Sequence, residues 1–575
     1  MWMLGAAIST AAVAVPATAD ASEGYFASPP ALGRMQVARA GAGAALLPDG
    51  QVLIVGGDNE ESSALRTAEL FDPDNDSFTL LAPYAGPLQA RSGPVVATLP
   101  DGEVLVAGGE RESSFLRSAE LFNPATDQFV SLPEVGSSEM QTARSEAAVA
   151  PLPDGEVLIA GGYAGVRDVL DSAELFDPSN DTFTELPDTG DHGMIEGRYG
   201  AVAAPLPDGK VLISGGGTFG SGDPAETDEL FNPARGSFEG LVSPSPVEPQ
   251  HPRESAAAAS LPGGQILIVG GQGGVFYVAR TAELFDPVNP GFSLIGGSQF
   301  EAATVVGRLG SFGVLLPNGQ VLIGGGYGYT VHEQATSNGS ELFYSAPQAT
   351  VTGGSFDDQA VNESSGQSVI TLTNIGAQDL EITNASLQGV DPTDFAIVTN
   401  ACTGRRLAFE QTCQIAAAFT PTTTGARTAT IALTDNEQTP TEIALTGVGV
   451  AAGSIASASG QGTGATGAGR GTAATVARRS TQGTALVVCH VVITHRLPLQ
   501  RCTTKHTATP VTGVPTGAVA AVLWRHGRLY ASGWVVRPTG EPVLLLTRRR
   551  QIGAGAYTLV LIGDGKRVRE TVTIN

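Results

Sequence analysis

Apolar and polar positions along this chain follow a pattern that repeats. A run of small residues, Gly41 to Leu47, leads into Pro48-Asp49-Gly50. Four apolar residues follow, Val52-Leu53-Ile54-Val55, then the pair Gly56-Gly57. After a polar stretch comes Ala68-Glu69-Leu70-Phe71-Asp72-Pro73, with a further Phe at 78. The block that starts at Leu47 returns at Leu99, Leu152, Leu206, Leu261 and Leu316, a period of 52 to 55 residues. Each copy predicts four strands. Pro-Asp-Gly between apolar runs signals a hairpin. The small first strand suits a crowded axis, and the second, apolar on both faces, expects cover on both. Four-stranded sheets set radially make a propeller, in which each blade buries both faces against its neighbours. The glycine pair suits a sharp turn or a close backbone approach.

Two charged residues keep the same beat. Arg39, Arg91, Arg144, Arg198, Arg253 and Arg308 each precede a block's Pro (Asn follows it in the sixth copy) by nine residues, and Glu69, Glu120, Glu174, Glu229, Glu283 and Glu341 sit in the second block. A carboxylate on a strand packed on both faces needs a partner, and this Arg is the cation repeated as faithfully. Structural Arg–Glu pairing is the favoured reading; an Arg ring binding an anionic ligand at the channel mouth is the sharper one.

The sixth copy breaks off after Leu342-Phe343-Tyr344 without a fourth strand. Phe26 stands 13 residues before Arg39, the interval that separates Phe78 from Arg91. Gly24 to Ser28 is therefore expected to supply the missing strand, which hides an open sheet edge.

The order Val-Leu-Ile-x-Gly-Gly, Ala-Glu-Leu-Phe-Asp-Pro, Phe resembles the kelch repeat in its bacterial, galactose-oxidase-like style, over about Phe26 to Tyr344. The resemblance implies an all-β fold led by a six-bladed propeller at 22–346. Residues 347–450 alternate apolar and polar positions with closely spaced turns, as in Val369-Ile370-Thr371-Leu372-Thr373-Asn374 and Leu445-Thr446-Gly447-Val448-Gly449-Val450. This stretch resembles the ASPM–Hydin-like (ASH) immunoglobulin-like domain of bacterial choice-of-anchor D surface proteins. The resemblance implies a non-catalytic β-sandwich that acts as a spacer or adhesion unit. Residues 451–480 are Gly/Ala/Ser/Thr-rich without periodicity and read as a linker. Residues 481–575 are strand-like again and predict a small β-domain, a sandwich by expectation.

Composition supports short strands: 74 Gly and only 6% aromatic residues in a chain of 575. No apolar run reaches the roughly 18 residues that span a bilayer. Residues 1–21 read as a signal peptide, with an apolar stretch, Leu4 to Val15, before Ala17-Thr18-Ala19, although no basic residue precedes it. The four cysteines form two close pairs, Cys402 with Cys413 and Cys489 with Cys502, without metal-type spacing; local disulfides and an exported chain are expected. Net charge is −25, unevenly spread: from Arg470 on, 15 basic and 3 acidic residues give +12, and the preceding chain carries −37. A basic tail behind an acidic body points to two different surfaces. For the tail, with Arg548-Arg549-Arg550, the readings are a solvated face or attraction to an anionic cell-envelope polymer; nucleic acid is not an expected partner.

Catalytic signatures are absent from the sequence. The galactose-oxidase resemblance raises a copper radical oxidase, but residues 22–346 hold no Cys, and His192, His251 and His332 occupy unrelated repeat positions. No cofactor and no metal site is expected, and acidic turns such as Asp72-Pro73-Asp74-Asn75-Asp76 are explained by turn chemistry. The loops expected on one face carry the informative variation: Tyr163, Tyr199, Tyr277, Tyr327, Tyr329 and His332, with His192, Phe219 and Phe276 near them. Aromatic residues there suit sugar stacking or a protein hot spot, or else pack the loops. A secreted or cell-surface protein that adheres to a glycan or protein ligand is the expectation. The alternative is a carbohydrate-active propeller enzyme (oxidase, lyase or sugar isomerase), to be distinguished by convergent carboxylate, His or Tyr groups in a concave mouth.

Overall fold

In the computed structural model, residues 24–451 are described outside 30, 135, 166–167, 188–192, 219–223, 226, 242–251, 274–277, 296–303, 305, 330–333 and 438–439. The C-terminal region is described by the backbone of its strands between 485 and 574. The expected signal peptide and linker lie outside the described residues. The described chain is nearly all β, with two 3-10 turns (Gly136–Ser138, Pro392–Asp394) and no α-helix among the described residues.

Each sequence copy folds into one antiparallel sheet. In the first, Gly43–Leu46, Val52–Val55, Ala68–Asp72 and Ser77–Leu80 pair in chain order. The second strand is fully buried in the first five sheets, as apolarity on both faces requires. First strands of successive sheets pack side by side, from Gly43–Leu46 through Val95–Thr98, Ala148–Pro151, Val202–Pro205 and Ala257–Ser260 to Leu309–Leu315, which returns to the first. Their Ala and Gly content lets six backbones crowd one axis.

The last sheet takes its outer strand from the start of the chain. Tyr25–Ala27 pairs with Ser340–Tyr344, placing Phe26 opposite Phe343. Those rings lie 4.9 Å apart at 46°, and the Phe71–Phe78 pair of the first sheet lies 4.8 Å apart at 46°. Interval matching on Phe26 thus located the strand.

The Arg, Glu and Gly-Gly positions knit these sheets. Each Arg donates to the Glu of its own repeat at 2.5–3.1 Å, with both partners buried. Its Nη1 also donates to the carbonyl of the first glycine of the pair, from Arg39 to Gly56 at 2.8 Å through Arg308 to Gly325 at 2.7 Å. Glutamate oxygens accept main-chain N–H groups as well: Glu69 from Gln36 and Val37, Glu174 from Gln141 and Thr142. A buried ion pair needs such extra donors to offset its desolvation. The second glycine donates to the carbonyl of the next repeat's Arg, from Gly57 to Arg91 and on to Gly326 with Arg39. Gly57 has φ +91°, and a Cβ there would stand 2.4 Å from the Ala40 oxygen, so only glycine fits.

Residues 349–450 form two sheets that bury one core. One orders Ala349–Thr352, Ser368–Asn374, Thr412–Phe419 and Phe395–Asn400; the other orders Gln359–Ala360, Glu442–Val450, Gly425–Asp435, Leu380–Gln388 and Arg405–Leu407. Ile370 and Leu372 meet Ile382, Ile431, Leu433 and Leu445 between them. Cys402 and Cys413 are disulfide-bonded within that core.

The C-terminal unit is a seven-stranded sheet ordered Leu497–His506, Ala485–Thr494, Val543–Arg548, Arg528–Val536, Val519–Arg525, Gly555–Gly563 and Lys566–Ile574. Its strands pair into one sheet where the sequence suggested a sandwich, and Ala485–Thr494 pairs parallel to Val543–Arg548. Cys489 stands directly opposite Cys502 on adjacent antiparallel strands; their side chains lie outside the description.

Candidate functional site

Directly after each repeat's Arg the chain turns through two positions that vary. The first comprises Ala40, Ser92, Ser145, Tyr199, Glu254 and Leu309. Each of these bridges across to the residue after the glycine pair: Asp58, Glu110, Tyr163, Gly217, Gln272 and Tyr327 respectively. An invariant frame of Arg, Glu and Gly-Gly thus holds two adjacent tiers of variable side chains around one end of the axis.

The second position after each Arg closes a ring. Gly41 N–H donates to Gly310, Gly93 to Gly41, Glu146 to Gly93, Gly200 to Glu146, Ser255 to Gly200 and Gly310 to Ser255, at 2.7–2.9 Å. All six residues have left-handed φ, between 51° and 68°. Glycine adopts that conformation freely, whereas a side chain adds about 1 kcal/mol or more. Four of the six are glycine; Glu146 and Ser255 are not.

A cavity of about 380 Å³ runs along the first strands from this ring. Asp58, Glu146, Ser255, Ser311 and Tyr327 line it with small apolar residues, and no Lys or Arg is among its described lining. Ser255 Oγ donates to Glu146 Oε2 at 3.3 Å, and Ser92 Oγ to Asp58 at 2.8 Å. Three phenols are each tied to a carboxylate: Tyr327 donates to Asp58, Tyr163 to Glu110 and Tyr199 to Glu254. Tyr163 sits edge-on to Tyr199 at 5.3 Å and to Phe115 at 5.2 Å.

Burial shifts these groups in the same direction, and like charge nearby adds to it for Glu146 and the phenols. Burial, with Glu254, Asp58 and Glu110 nearby, pushes the Glu146 carboxyl up to about 7 against the opposing Ser255 hydrogen bond. Burial raises Glu254 and pushes Tyr199 up to about 12; Tyr163 and Tyr327 are raised by burial and by their acidic neighbours. The arrangement can hold a positive charge or a network of hydroxyl groups. Among the described residues no cluster of three His, Cys, Asp or Glu is spaced for a metal ion.

Kelch-motif matches fall at residues 38–83, 91–136 and 147–190. The chain carries kelch motifs. These three stretches and the folded repeats support a kelch β-propeller for its N-terminal part. The chain is 31% identical over 182 residues to the F-box/kelch-repeat protein SKIP20 of Arabidopsis thaliana, covering 29% of this chain and 40% of that protein. It thus matches less than half the length of that curated relative.

Of the tyrosines expected at the loop face, Tyr163 and Tyr199 pack against each other and Tyr327 lines the cavity. Tyr329 ends the strand Val321–Tyr329; its side chain, and Tyr277, His332, His192, Phe219 and Phe276, lie outside the described residues. Sequence reasoning overlooked Asp58, Glu110, Glu146, Glu254 and Ser255. The signal lay in the repeat alignment itself, where Glu and Ser stand at a position that is otherwise glycine.

Proposed function

We propose that this chain is a secreted or cell-surface binding protein whose recognition head is a six-bladed kelch propeller, with the ring's variable face as the contact surface. The observation that carries this reading is the contrast between frame and face. Arg, Glu and the glycine pair are constant in all six repeats, and the neighbouring positions vary from repeat to repeat. An ASH-type immunoglobulin-like spacer at 347–450 and a basic domain at 481–575 that associates with an anionic envelope polymer complete the proposal. A protein partner is favoured by the kelch motifs; a glycan is the other ligand that phenol rings beside carboxylates suit.

Arrays of surface proteins and glycans probed with the full chain test this. Tyr163→Ala with Tyr199→Ala should weaken the captured interaction at least about tenfold, roughly 1.4 kcal/mol, at unchanged melting temperature. Parallel loss of fold and binding would make those rings packing residues and refute the assignment. One observation favours a carbohydrate-active enzyme as second reading: the mouth is concave and polar, and Glu146 titrates near neutrality beside other carboxylates. Glycan turnover abolished by Glu146→Gln would establish it; the absence of turnover across a glycan panel would dismiss it.

A further inference from the structure

We propose that the axial cavity takes a primary ammonium group, a lysine side chain presented by the partner, with Glu146 and Asp58 as its counter-ions and the Ser311 hydroxyl as a further acceptor. This deepens the reading of the variable face as the recognition surface and rests on it.

Three independent features point to an occupant. First, Glu146 and Ser255 hold left-handed φ of 53° and 51° in a ring whose other members are all glycine. The ring hydrogen bonds use the main chain alone, so closing the ring does not require those two side chains, although Ser255 Oγ donates to Glu146. Second, Ser311 Oγ is buried on the cavity wall, in a residue 8% exposed, with no hydrogen-bond partner. At the same repeat position the other sheets carry Ala42, Pro94, Ala147, Ala201 and Ala256. A buried hydroxyl without a partner is costly, and a donor entering the cavity would satisfy it. Third, acceptors line the cavity without a cation among its described residues, and the Tyr327 phenol is part of its wall.

That set matches a lysine side chain. An ammonium has three N–H donors and no acceptor. Its charge answers Glu146 and Asp58, its donors reach carboxylate and hydroxyl oxygens, and its methylene stem passes the ring of Tyr327, which also favours a cation over its face. Further in, Ala44, Val96, Val149, Ala203 and Ala258 make the walls apolar, so the charge is held near the ring.

The same groups set a pH dependence. Glu146 faces Asp58, Glu110 and Glu254, all carboxylates, and the phenols of Tyr163, Tyr199 and Tyr327. The phenols stay neutral below pH 9, so ionisation of Glu146 near 7 controls affinity, which rises between pH 6 and 8.

Calorimetric titration of the full chain with Nα-acetyl-lysine amide is the test, beside the norleucine and arginine analogues and calcium chloride. Saturable binding of the lysine compound alone is expected, weakened at least tenfold in Glu146→Gln and about threefold in Ser311→Ala. Its rise between pH 6 and 8 should vanish in Glu146→Gln. Glu146→Gly restores the repeat's glycine and should fold at least as well while losing the ligand, which keeps the test decisive if the Gln variant folds poorly. Equal binding of the norleucine analogue, preference for arginine or calcium, or no effect of either Glu146 change overturns the proposal. If Tyr163→Ala with Tyr199→Ala still weakens partner capture in that event, the recognition face stands and only the ammonium assignment falls.

Discussion

Replacing Asp228 by alanine should stabilise the protein at pH 8 and not at pH 5. Asp228 sits where four other repeats carry Ala68, Ala119, Ala173 and Ala282. It is buried, its Oδ1 has no partner, and its remaining contacts are with Ser214 and the Gly215 N–H. In the five other sheets the matching N–H donates to a main-chain carbonyl, such as Gly56 to Thr67. Burial pushes the Asp228 carboxyl up to about 7 from an ordinary 3.8, against the pull of Ser214 and Arg198. The folded state then holds its proton more tightly than the unfolded chain, so stability falls as pH climbs from about 4 through 7. About 3 pH units at 1.36 kcal/mol each make the full penalty about 4 kcal/mol, of which about 2.5 develops between pH 5 and 8. Alanine forgoes two hydrogen bonds of about 1 kcal/mol each. The net expectation is a gain of about 2 kcal/mol at pH 8 and little change at pH 5. Urea unfolding followed by far-UV circular dichroism measures it, because Trp2, Trp524 and Trp534 all lie outside the repeats. An advantage of the variant that stays constant across that pH range would refute the reasoning.

Closure of the ring should fail in Gly24→Val, since Gly24 has φ +112° and a Cβ would stand 2.6 Å from the Phe343 ring; a loss of about 3 kcal/mol in chemical unfolding is expected, and deletion of residues 22–31 should cost more. Arg144→Met leaves Glu174 buried without its cation and should cost about 3–5 kcal/mol, read from the urea midpoint, with a loss under 1 showing that the pair is dispensable. Reduction of Cys402–Cys413, or its replacement by serines, should destabilise the 349–450 sheets by about 3 kcal/mol, seen as an earlier unfolding transition. Peptide mapping without reduction should find Cys489 joined to Cys502, and a free thiol or a cross-pair in exported protein would contradict local pairing.

Repetition made the frame legible in the sequence. Six copies of one block set the strand order, the Pro-Asp-Gly and Asn-Gly turns and the recurrent Arg and Glu, because each residue type there answers a local demand: a turn, a strand buried on both faces, a carboxylate needing a cation. Counting residues between Phe and Arg even located the closing strand at Tyr25–Ala27. The loop tyrosines also stood out, and of these Tyr163 packs against Tyr199 while Tyr327 lines the cavity. Their carboxylate partners did not stand out, because Asp58, Glu110 and Glu254 belong to different repeats from the groups they face, or lie far along the chain from them. Tyr327 reaches Asp58 across 269 positions, a contact that exists only once the last sheet closes on the first. Glu146 likewise reads as one acid among 57 until six left-handed residues form a ring and place it on the axis. Local chemistry and period therefore determined the sheets; which side chains share the channel was decided by closure, since only a ring brings residues a hundred or more positions apart to the same few ångströms.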